Sequence, residues 1–225
     1  MIIMKCYRKS KGVTLMRSWL IYALIFTMVF IGGCSMEKEL PNTAAFQDEF
    51  TRSLLDSTEE VEEGHYLLES DTGGYSMLWP KNAVTDGPPF YQRTGDSFEK
   101  IIFYDVNKKE NYNYQFSTTY STYGESSIES SLNILSGGVS YFGEYEKIET
   151  DKTSIYFAKS EDTFADITTY FFFGYVVSKG NEKGLEYIYS AECIDESKST
   201  CNIDVKKEEE KALHYMKSVT FNKDE

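Results

Sequence analysis

The stretch NYNYQFSTTY, residues 111–120, decides the fold class. Tyr112, Tyr114, Phe116, Thr118 and Tyr120 alternate with Asn, Gln, Ser and Thr, the period of two that a β-strand imposes by turning successive side chains to opposite faces. A ring-bearing face and a polar face together describe a half-buried strand of an antiparallel sheet. Working outward, FEKIIFYDV (98–106) precedes it as a second strand. HYLLE (65–69) and GYSMLW (74–79) flank SDTGG, whose turn residues join two short strands. KNAVTDGPPFYQRTGD (81–96), with Pro88 and Pro89, reads as a loop.

Downstream of the opening stretch the period changes to that of a helix. Ser126 and Glu129 have capping-box spacing, Ile128, Leu132 and Leu135 share one face, and Gly137 and Gly138 end it. YEKIET, SIYFAKS, ITTYFFFGYVVS and GLEYIYSAEC then read as four strands. Tyr170 to Val177 is apolar on both alternating faces apart from Gly174, which places it inside the sheet, and Leu185, Tyr187, Tyr189, Ala191 and Cys193 share a face of the last. A second helix is expected over Asp204 to Lys217, with Val205, Ala212, Leu213 and Met216 toward the sheet, and SVTF (218–221) as a final edge strand. Neighbouring strands on short loops with helices between them indicate an α+β domain over 65–225: a single antiparallel sheet with two packed helices.

The chain before that domain has a different chemistry. Lys5, Arg8, Lys9, Lys11 and Arg17 precede the uncharged run WLIYALIFTMVFI (19–31), the layout of a secretory signal and short for a membrane span. The tetrad Ile31, Gly32, Gly33, Cys34 closes it and resembles the lipobox of bacterial lipoproteins of the Gram-positive, Bacillus type. That resemblance implies that residues 1–33 are removed and that Cys34 carries a diacylglycerol, anchoring the protein to the membrane. Two acyl chains hold what one would hold only marginally. Translation is compatible with a start at Met1 or at Met16, the latter giving the compact signal MRSWLIYALIFTMVFIGG. Residues 34–64 are polar and acidic and read as a tether. Phe46, Phe50 and Leu54 recur at four-residue spacing after Thr43, the mark of a weakly helical linker.

Removing residues 1–33 takes away five of the 23 basic residues and no acidic one, leaving 18 against 36 and a formal charge of −18. Such a surface repels phosphate backbones and argues against nucleic-acid binding. It suits solubility at an anionic cell surface. With 18 Tyr and 15 Phe, the composition favours a sheet whose rings are buried while hydroxyls reach water.

Two cysteines remain outside the expected signal and anchor. Cys193 and Cys201, separated by IDESKST, read as a disulfide closing a short loop, with free thiols as the alternative. His65 and His214 lie far from both in sequence, so no metal site and no cofactor is expected.

Catalytic motifs are sparse. SDTGGY resembles an aspartic-protease triplet around Asp71, but that chemistry needs two carboxylates sharing a proton, and one copy reads as a turn. SFEK (97–100) has penicillin-recognising spacing without its second motif. His65 and His214 are the residues that titrate near neutrality. Glu144, Glu146 and Glu149 lack the spacing of a calcium loop.

From Tyr66 to Phe221 the layout resembles the PsbP-like fold, also seen in a yeast nuclear-transport cofactor and several bacterial lipoproteins. The matching pieces are the strand ending in Trp79 and Pro80, the helix over Ser126 to Leu135, and the terminal helix leading into SVTF. Members mostly bind proteins or act as assembly factors. The resemblance therefore implies a binding or assembly module at the cell envelope with a protein or envelope-component partner, without catalysis. The alternatives are an envelope hydrolase with a carboxylate site, and small-ligand capture in an aromatic pocket near Trp79 and GPPFY.

Overall fold

The computed structural model describes residues 40–194 and 201–222, and the lipobox residues Ile31, Gly32, Gly33 and Cys34 lie outside them. Two short helices open the described chain, α1 (Ala44–Gln47) and α2 (Glu49–Ser53), broken at Asp48, whose side chain caps α2 by accepting from Thr51 N at 2.6 Å. β1 (His65–Glu69) and β2 (Tyr75–Pro80) follow, then β3 (Tyr91–Thr94), β4 (Phe98–Asn107) and β5 (Tyr112–Ser121). A 3-10 turn (Glu125–Ser127) leads into α3 (Ile128–Gly138). Four more strands, β6 (Glu146–Glu149), β7 (Thr153–Phe164), β8 (Ile167–Ser178) and β9 (Gly184–Cys193), precede α4 (Val205–Ser218) and β10 (Thr220–Phe221).

The strands form two antiparallel sheets. Seven are ordered β3-β4-β5-β9-β8-β7-β6, two meanders joined where Phe116 of β5 stands opposite Tyr189 of β9. Three form a separate sheet, β1-β2-β10. Alternation then assigns the layers. Phe172 and Val176 of β8 belong to one core with Ile101, Phe103, Phe116, Tyr187 and Tyr189, and the small sheet and α4 cover that face. Phe173, Tyr175 and Val177 point the other way and pack with Leu135 and Val139 of the α3 region.

Rings join the two sheets. The Trp79 indole stacks on Phe103 at 4.2 Å and Phe103 on Phe116 at 4.5 Å, while Tyr75 stacks on Tyr120 at 5.3 Å. Such pairs contribute roughly 0.5–1.5 kcal/mol each beyond their buried area. Gly174 sits in an interior strand because β7 passes too close for a side chain: a Cβ there would meet the Tyr156 carbonyl oxygen.

These findings correct the expectation of a single sheet with two packed helices. The molecule is mostly β, with sheets of three and seven strands. HYLLE and most of GYSMLW form strands as expected and pair with each other, but the further partner of β2 is the distant β10 rather than the main sheet. QRT of the expected loop is edge-strand backbone, paired residue by residue with β4. The capping box does not form: α3 starts at Ile128, and Ser126 Oγ donates to the Tyr123 carbonyl at 3.1 Å. The segment read as a tether is also partly folded. Ala45, Phe46, Thr51 and Leu54 are buried, Phe46 meets Tyr66 edge-on at 4.7 Å, and Leu55 bridges to Leu68. The compact unit accordingly runs from Leu40.

Candidate functional site

The outer edge of the large sheet ends unevenly. β6 pairs only with Ser154–Phe157 of β7, whereas β7 pairs along its whole length with β8. Before Glu146 the chain leaves the edge, because Tyr141 and Tyr145 pack edge-on against Phe173 at 5.2 and 5.7 Å on the α3 face. Residues 158–164 therefore have no strand on their outer side among the described residues. Beside them lies a cavity of about 240 Å³ lined by Lys159, Ser160, Glu161, Tyr170, Phe172 and Val205. At the hairpin tip Ala165 and Asp166 both have positive φ, which turns β7 into β8 in two residues and leaves Phe164 82% exposed. Phe142, in the loop that leaves the edge, is 98% exposed.

A second assembly brings together the two histidines. His214 Nε2 lies 2.6 Å from Glu62 Oε1, and His65 Nδ1 lies 3.1 Å from the same oxygen. His65 Nε2 meets the Tyr215 hydroxyl at 2.8 Å. Burial pushes the His65 imidazole below its ordinary range, against the pull of Glu62, which favours the charged ring. Among the described residues no group of three or more His, Cys, Asp or Glu side chains is arranged to hold a metal ion.

Two carboxylates that sequence reasoning passed over are buried. Glu99 accepts from Ser70 Oγ (2.8 Å) and the Tyr75 hydroxyl (2.9 Å) on one oxygen, and from Asp71 N (3.1 Å) and the Tyr91 hydroxyl (3.2 Å) on the other. Burial raises its pKa, and those hydroxyl donors oppose the rise. Glu208 accepts from the Tyr112 hydroxyl at 2.8 Å and from Tyr189, with Lys211 Nζ at 3.6 Å. The Lys211 ammonium stands 3.4 Å over the Tyr114 ring, and burial lowers its pKa. The signal for both was phase: Glu99 falls on the same strand face as Ile101 and Phe103, and Glu208 lies four residues before Ala212.

The remaining motif residues are scattered. Asp71 lies in the β1–β2 turn, where it accepts from the Tyr91 hydroxyl at 2.6 Å, and Gly73 has φ +64°. Ser97 and Lys100 sit at the β3–β4 hairpin rather than at a helix start. Glu149 is ion-paired at 2.7 Å with both Lys147 and Lys179, which hold its carboxyl at about 2, while Glu144 and Glu146 are exposed. Cys193 and Cys201 are joined by a disulfide, with Cα atoms 5.9 Å apart. Trp79 offers no pocket wall: it is fully buried and donates its indole N–H to the Ala83 carbonyl at 2.9 Å. A cavity of about 550 Å³ is instead lined by Asp151, Lys152, Thr153, Ser178, Lys179, Gly180, Asn181 and Phe221.

Residues 41–220 match the protein-family profile YvcA_Mog1p, described as "Putative lipoprotein YvcA". The chain belongs to the YvcA lipoprotein family. Its matched region takes in α1, α2 and every strand of both sheets except the last residue of β10. The protein described as "Putative lipoprotein YvcA" from Bacillus subtilis (strain 168) is 39% identical over 197 residues, covering 82% of this chain and 79% of that one. A solved structure from Bacteroides thetaiotaomicron shares 13% identity at a TM-score of 0.41, covering 72% of this chain and half the length of the other.

Proposed function

We propose that this YvcA-family lipoprotein is tethered through Cys34 to the extracytoplasmic face of the cell membrane and works there as a binding or assembly module rather than a catalyst. Membership of a lipoprotein family and the tetrad Ile31, Gly32, Gly33, Cys34 support the anchor. Anchoring through two acyl chains would leave a strongly acidic domain in the aqueous phase beside the bilayer.

One observation carries the binding role: residues 158–164 of β7 present an unpaired strand edge that ends in the exposed ring of Phe164. The edge runs for seven residues beside a cavity with an apolar lining, an arrangement suited to strand addition by a partner. Photo-crosslinking in intact cells, with a reactive amino acid placed in turn at several exposed positions, tests the reading. A specific adduct to an envelope protein supports it, and its absence at every position removes its basis. Mass spectrometry of the native amino terminus tests the anchor, since an unmodified terminus would exclude it.

A second reading, capture of a small polar ligand, is favoured by the cavity of about 550 Å³ with Lys152 and Lys179 in its wall. A thermal-shift screen against polyols and small anions would detect it.

A further inference from the structure

The open half of β7 has more definition than an edge alone. β6 ends its pairing at Phe157, and the seven residues Ala158 to Phe164 beyond it remain bonded to β8 on one side only. At about 3.4 Å per residue that is roughly 24 Å of strand. Immediately inside it, Tyr170, Phe172 and Val205 form the apolar part of the cavity of about 240 Å³, large enough for one aliphatic side chain. The Ser160 hydroxyl oxygen is buried and has no hydrogen-bond partner among the described residues.

Charge selects among occupants. Lys159 is neutralised by Glu209 at 2.6 Å. Glu161 and Asp162 have no ion-pair partner among the described residues, and Asp166 adds a third carboxylate at the hairpin tip. Two copies of this chain meeting edge to edge would oppose carboxylate to carboxylate, and an anionic bilayer would be repelled. An extended polypeptide bearing Lys or Arg meets neither penalty.

We propose that Ala158–Phe164 accepts an extended segment of a partner protein as an eighth strand of the large sheet, one apolar side chain of that segment filling the cavity of Tyr170, Phe172 and Val205 while its basic side chains lie beside Glu161 and Asp162. The inference rests on the binding-module reading and names the partner class at that site. Main-chain bonds supply the affinity, and the cavity and the carboxylates supply the selection.

The probe is a fluorescein-labelled octapeptide, Thr-Lys-Leu-Lys-Lys-Val-Val-Thr, which presents Leu and one Lys on the face of Glu161 and two Lys on the face of Asp162, titrated into the full chain in detergent micelles. Expected are saturable binding and loss of at least about tenfold in affinity when the three Lys are replaced by Glu. N-methylation of alternate amides should abolish binding in one register and spare it in the other, because an edge strand pairs through alternate residues. Val205→Trp, which fills the cavity from the start of α4, and the exposed double change E161K/D162K should each weaken binding by about tenfold or more. The second variant keeps the test informative if the first unfolds. No saturable binding, indifference to both N-methyl registers, or full affinity in E161K/D162K overturns the proposal. In cells, a photo-crosslinker at Thr163 should capture the partner and one at Glu125 should not. Capture at Glu125 alone, or of a second copy at Thr163, refutes the strand site and leaves the binding module standing, whereas no capture anywhere refutes both.

Discussion

His214 Nε2 and Glu62 Oε1, separated by 152 residues of chain, lie 2.6 Å apart, and His65 shares the same carboxylate oxygen at 3.1 Å. This contact ties the loop before β1 to the helix α4. His65 also faces the Tyr215 hydroxyl, the Glu63 carbonyl and, at longer range, His214 and Lys211. Its folded-state pKa is lowered, chiefly by burial. The unfolded chain therefore binds the proton first as pH falls, so stability from this group is complete above about pH 6.5 and declines as pH drops below it. Thermal melts between pH 8 and 5 should show that decline, and His65→Gln should flatten it. An unchanged slope in the variant would assign the pH dependence to other groups.

Glu99 holds four donors from three separate segments. Replacing it with Ala removes the shared acceptor and deprives the buried Tyr75 hydroxyl of it, at a cost of about 1–3 kcal/mol. Urea denaturation should show this loss. Glu99→Gln, which keeps one acceptor oxygen, should cost less.

Gly174→Ala should destabilise by roughly 2 kcal/mol or more, since the new methyl meets backbone of β7 that cannot retreat without breaking its ladder. Gly137→Ala makes the contrast. Nothing lies within 4 Å of a Cβ there, and the gain in helix propensity should stabilise by about 0.5–1 kcal/mol. Equal effects of the two changes, measured by denaturant midpoint, would contradict the packing described at β8.

Reduction of Cys193–Cys201, eight residues apart, should cost about 2–3 kcal/mol by the chain-entropy account. Melting with and without reductant measures it, and the double variant Cys193→Ser with Cys201→Ser should match the reduced protein.

Elements whose signal lies in their own residues were legible. ITTYFFFGYVVS and GLEYIYSAEC coincide with β8 and β9, because continuous or strictly alternating apolar residues admit few other conformations. Elements that owe their conformation to distant partners were not. Tyr91–Thr94 is a strand because β4 supplies its hydrogen bonds, although Pro and Gly around it favour a loop. Phe46 and Leu54 carried the right spacing, yet helices of four and five residues are stable only against a surface such as Tyr66 and Leu68. The second sheet was hidden for the same reason, since β10 meets β2 across some 140 residues. Of the candidate site, Lys159, Glu161 and Phe164 were visible as residues, but the openness of their edge depends on where β6 stops.

Trp79, wedged against Phe103 where the small sheet meets the large one, is a built-in optical probe of that junction. With no water contact, its emission should sit at the blue end of the indole range, fed by energy transfer from the many neighbouring tyrosines. A red shift that precedes the loss of far-ultraviolet dichroism would reveal the two layers parting before either one melts.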